Sequence, residues 1–158
     1  MKTIVVLSDS HRNVAAIEKI REIMAESDYI IHLGDNAIDM KSFYSDFGDK
    51  IYQVDGNCDP GSGVKEQILN IENRRVFFTH GDLYGVKSGK DRIFERAKEL
   101  KADVVLYGHT HTADVEEREG VLMVNPGCIT EYSSEKSFCY LVINNNKAVA
   151  TINNRIFL

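Results

Sequence analysis

Residues 3–11 read Thr3-Ile4-Val5-Val6-Leu7-Ser8-Asp9-Ser10-His11. Four apolar residues in a row form a short strand with no polar face, the pattern of a strand covered on both sides. The run ends at once in a carboxylate and an imidazole, and endings of this kind recur down the chain. Residues 13–26 carry Val14, Ile17, Ile20, Ile23 and Met24 with charges between them, an amphipathic helix. Tyr29–Leu33 is a second strand, residues 38–47 a weaker helix, and residues 50–54 a third strand. Strand and helix in alternation require parallel pairing through right-handed crossovers.

Further along, residues 67–71 and 75–79 read as two strands joined across Glu72-Asn73. Residues 90–101 form a helix with Ile93, Phe94, Ala97 and Leu100 on one face, and residues 103–107 a further strand. The rest is β-rich: 113–117 and 121–124 flank Glu119-Gly120, and 138–143 and 148–152 flank Asn144-Asn145-Asn146. Turns of this chemistry suit hairpins. The expected architecture is α/β, with α/β units followed by a β-meander, as two packed sheets with helices outside. A single domain over 1–158 is expected, with no linker or repeat.

The 158 residues include 19 basic and 24 acidic side chains, a net charge of −5, and 43% are hydrophobic. This is globular composition and excludes disorder and low complexity. The acidic balance argues against a nucleic-acid scaffold, which carries a basic excess. No apolar run approaches the ~20 residues that cross a bilayer, and no signal-peptide pattern opens the chain. Three cysteines without close pairs suit reduced thiols, and a cytoplasmic protein is expected.

Four of the five histidines fall just after strand ends. Asp9-Ser10-His11 follows the first strand, Gly34-Asp35-Asn36 the second and Gly56-Asn57-Cys58-Asp59 the third; His80-Gly81 and Gly108-His109-Thr110-His111 follow two later ones. In α/β folds the carboxyl ends of parallel strands line the ligand crevice. Asp9, His11, Asp35, Asn57, His80, His109 and His111 are too many ligands for one ion and enough for two that share a carboxylate. Carboxylate, amide and imidazole donors suit Mn²⁺, Fe²⁺, Ni²⁺, Co²⁺ or Zn²⁺, and paired ions suit hydrolysis at phosphorus. His32, inside an apolar strand, reads instead as a satisfied core residue. Cys128 and Cys139 read as structural. Lys87 and Lys90 read as phosphate contacts or as solvated surface, and Tyr84 and Tyr107 as pocket lining or as core.

The ordered set Asp-x-His, Gly-Asp, Gly-Asn, His-Gly, Gly-His-x-His resembles the calcineurin-like metallophosphoesterase superfamily. The short length and the Gly-Asn-Cys-Asp form are similar to its small prokaryotic phosphodiesterase branch, and Asn125-Pro126-Gly127 extends the likeness. The resemblance implies a four-layer α/β/β/α sandwich of two mixed sheets. It implies one ion on Asp9, His11 and His111, a second on Asn57, His80 and His109, and Asp35 as the bridge. The ions are divalent transition metals, Mn²⁺ foremost, and a hydroxide between them attacks a small phosphodiester. Asp35, Asn57, Cys58 and His109 are thereby the catalytic candidates. Cys58 stands where many members carry a His that protonates the leaving group; it is then either a weaker acid or a small buried residue. The same fold also serves as a retromer-subunit scaffold, the alternative reading. No membrane partner is expected. An exposed edge in the C-terminal β segment offers a place for a second copy of the chain.

Overall fold

The computed structural model describes residues 1–61 and 63–158, so one residue of the glycine-rich loop between Asp55 and Gly63 lies outside the described residues. The strands are β1 (Lys2–Leu7), β2 (Tyr29–His32), β3 (Ile51–Gln53), β4 (Glu66–Ile71), β5 (Arg74–Thr79), β6 (Val104–Leu106), β7 (Asp114–Arg118), β8 (Val121–Asn125), β9 (Phe138–Asn144) and β10 (Lys147–Asn153). They form two five-stranded mixed sheets, ordered β10-β9-β1-β2-β3 and β4-β5-β6-β8-β7. Within the first sheet β1, β2 and β3 are parallel; within the second β5, β6 and β8 are.

The four layers follow from the residues each strand presents. Ile4 and Val6 of β1 join Ile31, Val76, Phe78, Leu106 and Leu141 in the apolar layer between the sheets. Val5 and Leu7, of opposite parity, pack on the outer side with Ile17, Ile20, Met24, Met40 and Phe43. The second sheet repeats this: Phe77 and Val105 face outward onto Ile93, Phe94 and Ala97 of the helix Asp91–Glu99. Because both faces of β1 are covered, its apolar run has no polar alternation. Among the described residues, no helix is long and apolar enough to cross a membrane.

Three expectations need correction. The helix expected over 13–26 is two, α1 (Val14–Lys19) and α2 (Arg21–Glu26), broken at Ile20. Its apolar residues 14, 17, 20 and 23 recur every three positions, and the Ile20 N–H bonds the Ile17 carbonyl three residues back (3.0 Å). That tighter turn keeps a period-three stripe on one face, which an α-helix of 3.6 residues per turn rotates away. The weaker helix expected over 38–47 is likewise a 3₁₀ segment, Ala37–Phe43, followed by the single turn α3 (Tyr44–Phe47). Ala37, Met40 and Phe43, again three apart, are its buried apolar residues. The helix Asp91–Glu99, α4, is present with slightly shorter bounds. The β-rich tail is not one meander: hairpin β7–β8 joins the second sheet, whereas hairpin β9–β10 crosses back to place β9 against β1. The segment that makes this crossing, residues 126–137, passes over the rim where the parallel strands end.

Candidate metal centre

All candidate ligands lie just beyond the carboxyl ends of parallel strands, and hydrogen bonds tie these ends into one rim. The Asp9 N–H donates to the Gly34 carbonyl (2.9 Å) and the Gly108 N–H to the His80 carbonyl (2.8 Å). Across the two sheets, the His109 N–H donates to Asp9 Oδ2 (3.1 Å). Glycine makes this closeness possible. A Cβ on Gly56 would collide with the Asp35 carboxylate, and one on Gly108 with Ser8 Oγ and the Asp9 carboxylate. Asp9, His11, Asp35, His109 and His111 all hold left-handed backbone, with φ of 53°, 42°, 62°, 72° and 63°. Side chains with a Cβ pay for that conformation, and such strain gathers at functional sites.

The ligand atoms form two groups that share one residue. Asp9, His11, Asp35 and His111 offer atoms all within 4.8 Å of one another, and so do Asp35, His80 and His109. In the first group His111 Nε2 is 3.1 Å from Asp9 Oδ1, and His11 Nε2 is 3.6 Å from Asp35 Oδ2. In the second His80 Nε2 lies 3.3 Å from Asp35 Oδ2 and 3.1 Å from His109 Nδ1. The His80 Nδ1 sits 2.8 Å from the Leu33 carbonyl, a contact that makes it the protonated nitrogen and turns the Nε2 lone pair inward. Buried Asp9 Oδ1 and His11 Nε2 have no hydrogen-bond partner among the described residues. Carboxylate and imidazole atoms converging with orphaned acceptors are the donor set of a divalent cation, so the residues fit the metal that the sequence implies.

The model of the calcineurin-like phosphoesterase superfamily domain matches residues 1–148. The chain belongs to this superfamily. Among similar calcineurin-like proteins, "Probable metallophosphoesterase YsnB" of Bacillus subtilis is 33% identical over 153 residues, 94% of this chain and 88% of YsnB. "Phosphodiesterase YfcE" of Escherichia coli K12 is 27% identical, over 92% of this chain and 89% of YfcE. Among solved structures, Vps29 of Chaetomium thermophilum shares the calcineurin-like fold, with a TM-score of 0.78 over 97% and 96% of the two chains at 16% identity.

The electrostatics of this calcineurin-like rim favour positive charge. Burial works against ionising Asp9, but the His11 and His111 imidazoles and the charge on His80 hold its carboxyl well below the usual range. Asp35 is likewise lowered despite burial, by His80 and by the Cys58 N–H that donates to Oδ1 (2.9 Å). Burial opposes a charge on His80, yet Asp35 and Asp9 raise it. Carboxylates that draw a proton to His80 draw a cation in the same way. His109 is lowered by burial and by His80.

Two candidates stand apart from these groups. The exposed Asn57 directs its amide nitrogen at Cys58 Sγ (3.7 Å), and among the described residues it forms no hydrogen bond with the other ligand candidates. Its neighbour reaches Asp35 through the backbone. Cys58 is exposed, which excludes the small buried residue as its role. Partial burial and the Asp35 carboxylate push its thiol up, so it stays protonated.

The remaining alternatives resolve. His32 is fully buried and satisfied: Nδ1 accepts from the Gly34 N–H (3.0 Å), so Nε2 donates to Ser10 Oγ (2.9 Å), which donates to Asp39 (2.7 Å). Tyr107 is core, and Tyr84 is half-buried and donates to Glu66 (2.7 Å). Lys90 is engaged by Asp114 and Glu116, away from the ligands, whereas Lys87 is exposed. Cys128 and Cys139 are buried.

Residue reading missed Asp59 as a clamp. Its carboxylate accepts from the backbone N–H groups of Asp35 (2.8 Å), Asn36 (2.8 Å), Ala37 (3.1 Å) and Gly56 (2.7 Å). It thereby fixes the turn that aims Asp35. The Gly-Asn-Cys-Asp string contains this residue and Gly56, but its other backbone partners, Asp35, Asn36 and Ala37, lie more than twenty positions away.

Proposed function

We propose that this chain is a single metal-dependent phosphodiesterase domain over 1–158, acting on a small phosphodiester. The observation that carries the reading is the pair of ligand groups joined at Asp35. Asp9, His11 and His111 would hold one divalent ion and His80 and His109 the other, with Asn57 completing the second set and Asp35 shared. Mn²⁺ leads the candidates, with Ni²⁺, Fe²⁺, Co²⁺ and Zn²⁺ behind it, because the donors mix hard oxygen with imidazole. Bound there, the ions supply charge neutralisation at the phosphoryl oxygens and a more acidic water.

The chain's own residues do the rest. The paired carboxylates orient the centre, and the His80–Leu33 contact keeps an imidazole lone pair directed into it. Hydrolysis breaks one P–O ester bond, the water oxygen bonds phosphorus, and the departing oxygen takes up a proton. Cys58 stands beside Asp35 with its thiol protonated, and it is a weak acid. The reading therefore favours esters with good leaving groups. The free thiols support a cytoplasmic setting as part of this reading.

The scaffold reading rests on the likeness to Vps29, which is one of fold alone. A scaffold has no chemical need for orphaned carboxylate and imidazole atoms converging on one point. Hydrolysis of bis-4-nitrophenyl phosphate and 4-nitrophenyl phosphate with added Mn²⁺ tests the proposal. Diester turnover that vanishes in Asp35→Ala is expected. Absence of turnover by folded protein with two bound ions overturns it.

A further inference from the structure

We propose that the cleft beside His11 and His111 receives a planar, uncharged aromatic ester group of the substrate, stacked on Tyr132. This rests on the phosphodiesterase reading above. The cleft holds about 420 Å³ and is lined by His11, His111, Thr130, Tyr132 and Ser133. Two of its walls are therefore imidazoles of the first ligand group. A phosphodiester seated at that group has its phosphorus among the imidazoles, and a substituent of matching direction lies along the other three residues.

Tyr132 is 87% exposed, whereas the next most exposed aromatic among the described residues, Tyr44, is 43% exposed. Its ring contributes little to the core, yet it stands on an ordered turn. The Ser133 N–H donates to the Thr130 carbonyl (3.2 Å), the Tyr132 N–H to Thr130 Oγ1 (3.4 Å) and Lys136 Nζ to the Ser133 carbonyl (2.7 Å). Asn13 Nδ2 donates to the Ile129 carbonyl (2.7 Å) and so moors the turn to the loop that carries His11. With the turn held in advance, placing the ring costs only the freedom of its own side chain, which has two rotatable angles. The lining residues include no Asp, Glu, Lys or Arg, so a charged substituent finds no counter-ion and a flat π-face finds a partner.

The test compares wild type, Tyr132→Ala and Tyr132→Phe in hydrolysis of bis-4-nitrophenyl phosphate, with inorganic phosphate as a competing ligand that has no ester group. Tyr132→Ala is expected to raise KM about tenfold with kcat within about twofold, to leave the inhibition constant of phosphate and the bound metal unchanged, and Tyr132→Phe to match wild type. An unchanged KM in Tyr132→Ala, or a parallel rise in the phosphate constant, overturns the proposal. A second measurement needs no turnover. The chain has no tryptophan, so Tyr132→Trp carries a single reporter. With metal bound, phenylphosphonate is expected to change its fluorescence and methylphosphonate to leave it unchanged; equal responses overturn the proposal. If wild type turns over no diester, the phosphodiesterase reading fails, and the fluorescence comparison still decides the cleft.

Discussion

At the scale of single residues, Cys58 and Asp59 sit side by side with different duties. Cys58 is exposed beside the Asp35 carboxylate, and its thiol stays protonated. An imidazole at that position is a better acid near neutral pH. Cys58→His is expected to speed hydrolysis of diesters with poor leaving groups by about tenfold or more, with little gain for nitrophenyl esters. Rates across a leaving-group series check this; a uniform change at every ester counts against it. Asp59 acts through the four backbone N–H groups it accepts. Asp59→Ala leaves those donors without their partner, and metal affinity at the Asp35 group is expected to fall about 10–100-fold. Metal titration by calorimetry reads this, and Asp59→Asn, which keeps one acceptor oxygen, is expected to lose less. The candidate ligands that converge were legible in the sequence because each sits next to a strand end that hydropathy marks. Asp59, Ser10 and Asp39 were not, because their partners are backbone amides or buried side chains of other loops.

Between elements, the loops after β1 and β2 are joined from beneath by His32, Ser10 and Asp39, and Asp39 Oδ2 also accepts the Arg12 N–H (2.8 Å). Burial lowers the His32 pKa from 6.5 to about 4, despite the opposing charges of Asp9 and Asp39. The unfolded chain thus takes a proton here near pH 6.5 and the folded chain only near pH 4. Between these values the unfolded state holds the extra proton, so this contribution is complete above pH 6.5 and is lost as the pH falls toward 4. It amounts to about 3 kcal/mol at most. Denaturant melts of metal-free protein from pH 7 to 4 are expected to show this slope, and His32→Gln to flatten it at lower overall stability; equal slopes in the two proteins reject the assignment. Strands were readable from two signals: unbroken apolar runs where both faces are covered, as in β1, and short segments flanking a turn where they are not, as in β7. The helices were less so: apolar residues three apart, as at Ala37, Met40 and Phe43, fit a 3₁₀ turn as well as a poor α-helix. Nothing local told hairpin β9–β10 which sheet to join, since its alternating burial suits either.

For the whole molecule, the ligand groups draw on both sheets. Asp9, His11 and Asp35 extend from the first, and His80, His109 and His111 from the second. Ions held between them, as proposed, would act as cross-links that the unfolded chain lacks. At 100 to 1,000 times the dissociation constant, one ion adds about 3–4 kcal/mol. Chelation is accordingly expected to lower Tm by about 10 °C in wild type and by far less in Asp35→Ala, as read by calorimetry; equal shifts reject a shared site. The same arrangement has a consequence for the order in which the protein is made. Every ligand candidate lies within residues 9–111, yet β1, which leads directly into Asp9 and His11, pairs along one side with β9, Lys2 facing Ile143. While residues 138–144 are still inside the ribosome, β1 has an open edge in place of that neighbour. The emerging chain thus contains the whole ligand set well before it contains the strand that completes the sheet beneath it. Closing the sheet beneath the candidate ligands therefore needs a contact of long sequence separation, and contacts of that kind slow folding.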